Sequence, residues 1–411
     1  MLLAKVLSSV MDEGQLNIID ASGRTHRIAG PQKGPEVTMR IHNRRTEWRL
    51  ILQPRLALGE AYMDGTLTIE YGDIYDLLDL LGRNMAAVDG TAAVRWSVGL
   101  QRVGRLVQQY NPIGKARRNV AHHYDLRDDL YNLFLDEDRQ YSCAYFASPE
   151  DSLEQAQTNK KRHIAAKLLL RPGQRVLDIG SGWGGMGLFL GREFGVDVTG
   201  VTLSKEQHTF SSHRALKGGL ADHVRFKLLD YRHESDRYDR IVSVGMFEHV
   251  GAMHYVEFFT KVKALLKDDG VMLLHAIGRM EPLGGTNSWL RKYIFPGGYA
   301  PAMSEVLAAI EKVGLWVTDI EVLRLHYAET LRLWRNRFQT NREKIKQLAG
   351  YDELFCRMWE FYLAGAEVSF RHMNQMVFQI QIARRQDAVP LTRDYMIESE
   401  CRQKAALVAA E

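Results

Sequence analysis

From about Arg171 onward, short runs of apolar residues alternate with segments of helical periodicity. RVLDIG (175–180), DVTGVTL (197–203), VRFKLLD (224–230), YDRIVSVGM (238–246) and GVMLLHAIG (270–278) are near-continuous β-rich runs. Strands covered on both faces have that character, and strands spaced by helices imply βαβ units in a doubly wound sheet. WVTDIEVL (316–323) predicts a further strand. Phe378, Ile380 and Ile382 alternate with Gln379 and Gln381, which predicts a last, half-exposed strand. The first hundred residues differ. LNIIDASGRTHRIAG (Leu16 to Gly30) sets Ser22-Gly23 between two apolar runs and predicts a hairpin, and EVTMRIHN predicts a strand. Glu47 to Met63 predicts a helix, and YGDIYDLLDLLG predicts another that stops at Gly82.

The expected architecture is α/β: a Rossmann-like sheet with helices on both faces, preceded by a small α+β domain. The boundary is expected near residue 110, giving 1–110 and 111–411. A length of 411 residues suits two domains, and 45% hydrophobic with 25% charged residues suits a globular chain. A net charge of +4 is too mild to imply nucleic acid. Between Asp89 and Asp125, however, Arg95, Arg102, Arg105, Lys115, Arg117 and Arg118 occur without an acid. Trp96, Leu100, Val103, Val107 and Tyr110 recur there at helical spacing. That describes a basic amphipathic helix, either a packed linker or a surface for anionic lipid headgroups. No apolar run approaches the roughly 18 residues of a spanning helix. The start MLLAKVLSSVMDEG is too short and too soon acidic for a secretory signal. Cys143, Cys356 and Cys401 form no paired framework, so the expected compartment is the cytoplasm. His122-His123 are adjacent, point apart, and predict no metal site.

The first strand of the series runs into Asp178-Ile179-Gly180-Ser181-Gly182-Trp183-Gly184-Gly185. Such glycines allow a tight turn and close approach of a ligand, but a lone glycine loop is weak evidence, and a plain strand-to-helix turn would look alike. The second strand ends in Val201-Thr202-Leu203-Ser204, with hydroxyls and no acid for a dinucleotide ribose, and no GK[ST] follows a glycine loop. An acid before the first glycine suits a cationic ligand better than a pyrophosphate. In the class I methyltransferase pattern, that acid lies near the methionine part of S-adenosylmethionine. Glu248 and His275 fall at or near carboxyl ends of strands, where the ligand crevice of such sheets opens. Each alone has a plainer explanation: a helix N-terminus for Glu248, a core histidine for His275, a buried hydrophobe for Cys143, packing for Trp183.

HHYDLRDDLYNLFLDEDRQYSCAYF (122–146), VLDIGSGWGG (176–185), GVTLSKEQ (200–207), DYR (230–232), RIVSVGMFEHVG (240–251), LLHAIG (273–278) and KYIFPGG (292–298) stand in one order. That ordered set resembles the cyclopropane-fatty-acyl-phospholipid synthases and their mycolic acid relatives. The resemblance implies a seven-stranded class I methyltransferase sheet using S-adenosylmethionine. Tyr141, Ser142, Asp178, Gly180, Gly182 and Trp183 would meet the cofactor. Thr202, Leu203, Ser204 and Gln207 would hold its ribose and adenosine side, and Asp230 and Tyr231 would border the adenine. Cys143, Glu248, His275, Ile277 and Tyr327 match positions that hold a bicarbonate ion in the family. Two departures stand out: Asp128 replaces a common Asn, and a late cysteine aligns near Ala366, leaving Cys356 as a core residue.

The implied reaction adds methylene to the cis double bond of an unsaturated phospholipid acyl chain. An alkene is a weak nucleophile, so the enzyme must press it against an electrophilic methyl in a dry pocket. Deprotonation of the new methyl closes a cyclopropane, whereas proton loss elsewhere gives a methyl-alkene or, after reduction, a methyl branch. Bicarbonate would serve as the base, accepting hydrogen bonds from Tyr327, a protonated His275 and N–H groups near Cys143 and Ile277. Tyr293, Phe295 or Phe146 would face the passing cation. The expected partners are a phospholipid membrane surface, approached from the inner face as a peripheral protein, and a second copy in a homodimer.

Overall fold

The computed structural model describes residues 1–85, 128–280 and 287–408. The basic stretch from Asp89 to Asp125, the expected boundary near 110, and His122-His123 lie outside the described residues.

A helix, α1 (Leu2–Ser8), precedes β1 (Glu13–Ile19) and β2 (Thr25–Ala29), which pair antiparallel across the Ser22–Gly23 turn. β3 (Gln32–Ile41) pairs parallel with β1. The helix expected over 47–63 is two helices, α2 (Arg44–Leu52) and α3 (Pro54–Asp64). Pro54 has no N–H to extend the first ladder, and its fixed φ suits the start of the second. β4 (Leu67–Tyr71) completes a four-stranded sheet in the order β2-β1-β3-β4. α4 (Ile74–Arg83) opens on a capping box between Asp73 and Asp76 and stops one residue past Gly82. A Cβ at Gly82 would lie 2.6 Å from a methyl carbon of Val368, so the glycine also permits close packing of two helices.

The larger sheet follows α5 (Asp128–Phe134) and α6 (Leu153–Leu168). Its strands are β5 (Arg175–Ile179), β6 (Asp197–Thr202), β7 (Val224–Leu228), β8 (Tyr238–Val244), β9 (Leu266–Arg279), β10 (Trp316–Val322) and β11 (Gln375–Ala383). They form one seven-stranded sheet, β10-β11-β9-β8-β5-β6-β7, as expected. α7 (Gly185–Phe194), α8 (Lys205–Lys217) and α6 cover one face, where Leu168, Leu190 and Ala215 bury Val176, Val198 and Val224. α9 (Tyr255–Leu265), α10 (Ser288–Tyr293) and α11 (Met303–Val313) follow. On the opposite face, Phe258 of α9 and Ile310 of α11 pack on Leu177, Ile241 and Leu274. Each fully buried aliphatic side chain stabilises the fold by roughly 1.5–3 kcal/mol relative to exposure.

β11 corrects an expectation. It is inserted antiparallel between β10 and β9, so it is an interior strand, not a half-exposed one. Gln379 and Gln381 are each 1% exposed. Their amides are satisfied in a buried polar layer: Gln381 Nε2 donates to the Lys167 carbonyl at 2.5 Å and to the Tyr395 hydroxyl at 2.7 Å, and Thr318 donates to its Oε1 at 2.8 Å. Polar alternation signals water only when the polar face lacks protein partners.

α12 (His326–Thr340), α13 (Arg342–Gln347) and α14 (Glu353–His372) roof the carboxyl ends of the strands with an aromatic core that includes Phe134, Trp334 and Trp359. Cys356 is fully buried there. α14 also ties in the N-terminal sheet, since Ala364 belongs to that sheet's core, His372 bonds Asp79 at 2.6 Å and Tyr62 donates to Glu360 at 2.9 Å. α15 (Asp394–Val408) packs on α6. No helix among the described residues is long and apolar enough to cross a membrane.

Candidate active site

The chain leaves β5, builds β6 and β7 on one side, then returns to β8 on the other. The connections at the carboxyl ends of β5 and β8 therefore diverge and leave a crevice. The glycine loop lies in it. Gly180 has φ +85°, and a Cβ there would come 2.7 Å from the Cβ of Met246, so only glycine lets the loop close against the β8 end. The result is a cavity open to solvent at one mouth.

Tyr141, Ser142, Asp178, Gly180, Gly182 and Trp183 line one end of it. Thr202, Leu203 and Gln207 form the β6 side, and Asp230 and Tyr231 the β7 side. Ser204 does not line it. Its side chain caps α8 by accepting from the Gln207 N–H at 3.2 Å, which places Gln207 where Thr202 Oγ donates to its amide oxygen at 2.9 Å. Trp183 combines two duties: it lines the cavity and packs on Tyr131 at 4.7 Å between ring centres. Arg139, Met246 and His249 also line the cavity and were not singled out from sequence. Of the pair Glu248-His249, it is His249 that faces the cavity. Burial pushes its imidazole down to about 4, so it is neutral.

Asp178 dominates the electrostatics. It is 2% exposed, and its Oδ2 has no hydrogen-bond partner. Burial pushes its carboxyl up to about 7, with Lys160 opposing. An unpartnered carboxylate lining a cavity is suited to receive a cation. Asp230 has the opposite state. Burial pushes it up, but the fork of Arg232 at 2.8 and 2.9 Å outweighs that and holds it below the usual carboxylate range. Lys160 is fully buried beneath the site, donating to Gln140 at 2.7 Å and Ser142 at 2.8 Å, and burial lowers it to about 8. In sequence it is one member of Asn159-Lys160-Lys161, indistinguishable from a solvated helix face.

The five residues expected around a base lie beyond this cavity's lining. Glu248 is 9% exposed on a single helical turn after β8, and its Oε1 accepts the Ile277 N–H at 2.6 Å. That N–H, expected for an anion, is therefore already engaged. Glu248 Oε2 is buried without a partner, and burial raises the carboxyl to about 7, with the Ile277 N–H opposing. His275 precedes Ile277 by two residues on β9 and so points to the same side of the sheet. It is 2% exposed. Burial first, then Lys160, Lys167 and His163, push its protonation well below the usual range. The expectation of an imidazolium is thus corrected to a neutral ring. Cys143 and Tyr327 are buried in the aromatic core, and Ile277 packs against it. Burial pushes the Cys143 thiol far up, which excludes a thiolate nucleophile. Phe146, Tyr293 and Phe295 also pack against that core, with the Tyr293 hydroxyl held by Glu60 at 2.8 Å.

A family model described as mycolic acid cyclopropane synthetase matches residues 113–380. The cyclopropane-fatty-acyl-phospholipid synthase of Escherichia coli K12 is 36% identical over 338 residues, covering 82% of this chain and 85% of its own. A probable fatty acid methyltransferase of Pseudomonas putida is 38% identical over 290 residues, covering 67% of this chain and 73% of its own. The solved mycolic acid cyclopropane synthase CmaA1, complexed with SAH and CTAB, superposes with a TM-score of 0.61 at 35% identity, over 66% of this chain and 99% of that one.

Proposed function

The chain belongs to the mycolic acid cyclopropane synthetase family of S-adenosylmethionine-dependent methyltransferases, and we propose that it converts cis double bonds of unsaturated phospholipid acyl chains into cyclopropanes. Bound S-adenosylmethionine supplies the electrophilic methyl group. Asp178 binds its amino group, Tyr141, Ser142 and the glycine loop shape its methionine end, and Thr202, Gln207 and Asp230 meet its ribose and adenine side. The aromatic roof excludes water from the alkene, which suits an electrophilic addition that water would intercept.

Ring closure needs a base for one proton of the transferred carbon. The orphaned Oε2 of Glu248 carries this reading. A carboxyl group that burial holds near half-protonation at pH 7 can donate to or accept from a small oxyanion beside it. A bicarbonate ion held by Glu248, His275 and Tyr327 would supply that base. The neutral His275 offers it a ring N–H, and Ile277 contributes by fixing Glu248. A methyl-alkene or methyl-branched product is the second reading, favoured by the similarity to a probable fatty acid methyltransferase. Substrates embedded in a bilayer would bring the chain to a membrane surface, with the arginines of the 89–125 stretch meeting anionic headgroups.

The test incubates the protein with labelled S-adenosylmethionine and vesicles of unsaturated phospholipid. The expected product is an acyl chain heavier by one CH₂ with proton signals of a three-membered ring, formed more slowly in bicarbonate-depleted buffer and restored by the ion. Olefinic methyl signals instead would establish the second reading. No gain in acyl mass would sink both, and indifference to bicarbonate would remove that ion as the base.

A further inference from the structure

Beneath His275 lies a chain of polar groups, buried at its inner end and part-exposed at Glu321 and Glu400, that the reaction above does not use. Gln379 stands directly opposite His275 in the β9–β11 register. Its Nε2 lies 3.2 Å from His275 Nδ1. Its Oε1 accepts from the Lys167 ammonium at 2.7 Å. Lys167, from α6, is also paired with Glu321 of β10, which in turn bonds His163 Nε2 at 2.6 Å. His163 Nδ1 meets Glu400 of α15 at 2.5 Å. Lys167 is 2% exposed, Gln379 1% and His275 2%. Four elements thus converge on one side of one imidazole.

The orientation of an amide is legible when one end meets a group that only donates. An ammonium has three donors and no acceptor, so the end of Gln379 facing Lys167 must be oxygen. The NH₂ end then faces His275 Nδ1, which must be a bare lone pair. Flipping the amide would set its NH₂ against NH₃⁺, leaving the NH₂ without an acceptor and Lys167 with Glu321 but without Gln379, an unfavourable exchange in a buried site. With Nδ1 as acceptor, the single proton of a neutral imidazole sits on Nε2, on the opposite edge of the ring. We infer that Gln379, oriented by Lys167 and Glu321, is a positioning residue that fixes His275 as its Nε2–H tautomer, so that the ring presents a donor and not a lone pair to the anion of the proposed reaction. The Lys167–Glu321 ion pair supports this. Burial raises Glu321, but His163 and Lys167 outweigh it and bring it down to about 2, so the carboxylate stays charged. Burial lowers Lys167, and that carboxylate, paired with its Nζ, opposes the fall and favours the ammonium. The groups facing His275 are then Lys160, Lys167 and His163, all disfavouring a second proton, with Glu321 opposing.

This inference rests on the role given to His275, and the test separates the two. Histidine ¹⁵N-labelled protein is compared by two-bond ¹⁵N–¹H correlation, whose pattern differs between the tautomers, with His275→Asn identifying the His275 signals. The native chain is expected to show the Nε2–H pattern. In Gln379→Glu the acceptor-only carboxylate should draw the proton to Nδ1. Turnover should fall roughly 10- to 100-fold, the effect of losing a histidine's outer partner, with the KM for S-adenosylmethionine unchanged. Lys167→Met should give mixed tautomers and a smaller loss, and Lys167→Arg should restore the native pattern. These two variants carry the test if Gln379→Glu does not fold. An Nδ1–H pattern in the native chain, or an unchanged pattern and turnover in Gln379→Glu and Lys167→Met, overturns the inference. Native turnover in His275→Asn overturns the role of His275 itself.

Discussion

Replacing Glu248 by glutamine should make the protein more stable in alkali while disabling it. The carboxyl group is raised from 4.5 to about 7 because burial disfavours its charged form. At about 1.4 kcal/mol per pH decade, that rise corresponds to about 3 kcal/mol. The sign follows from the direction. An acid raised in the folded state penalises folding once the unfolded chain ionises. The penalty is absent below about pH 4.5, grows as the pH climbs, and is complete above about pH 7. Glutamine never ionises and escapes it. Glutamine also leaves an amide NH₂ where Oε2 now lies, but that cost does not vary with pH. Unfolding by denaturant at about pH 5 and about pH 9 isolates the ionisation. The stability of Glu248→Gln relative to the native chain should improve by about 2–3 kcal/mol between the two. Turnover should fall by roughly 10²–10⁴-fold, the range for loss of a proton-handling group, with the cofactor still bound. A relative stability independent of pH would refute the buried, unpartnered carboxylate. Near-native turnover would refute its part in proton removal.

Asp178 is raised to about 7 by burial, and a cationic ligand favours its ionised form. Affinity for S-adenosylmethionine, followed by calorimetry, should therefore rise with pH through about 7 and level off above it. Asp178→Asn should bind weakly and lose that pH step, and a retained step would assign it to another group. Reversing Arg102, Arg105, Arg117 and Arg118 to glutamate should weaken binding to anionic vesicles in a co-sedimentation assay. The residual binding should depend less on salt, and unchanged binding would leave this stretch as a linker.

The parts of the fold legible in sequence are those set by local pattern. β5, β6 and β8 are buried on both faces and read as apolar runs, and the glycine loop follows the first of them. What escaped depends on distant neighbours. Gly82 reads only as a helix stop because nothing local announces Val368 packing against it, 286 positions along the chain, although the helix does end one residue later. Gln379 and Gln381 read as a wet face because Lys167 and Tyr395, which satisfy them, come from α6 and α15. The positions of Glu248 and His275 were visible at strand ends, but not their protonation. An isolated histidine in an apolar strand carries no sign of how deeply it is buried, nor of the two lysines and the histidine that add to burial in keeping it neutral. Lys160 left no trace at all, since a buried lysine and a solvated one are the same letter.

The insertion of β11 beside β9 has a consequence for the order of assembly. Every residue lining the candidate cofactor cavity lies between Arg139 and His254. The neighbour of His275 is made 104 positions after it. On the ribosome, the residues proposed to hold the sulfonium compound are therefore made well before the strand proposed to govern the proton. Until the closing strand emerges, β9 is an uncovered apolar edge, a natural target for a holdase and a hazard if translation stalls. On the proposed reading, competence for chemistry is tied to arrival of β11, and a prematurely ended product would lack the residue that faces His275.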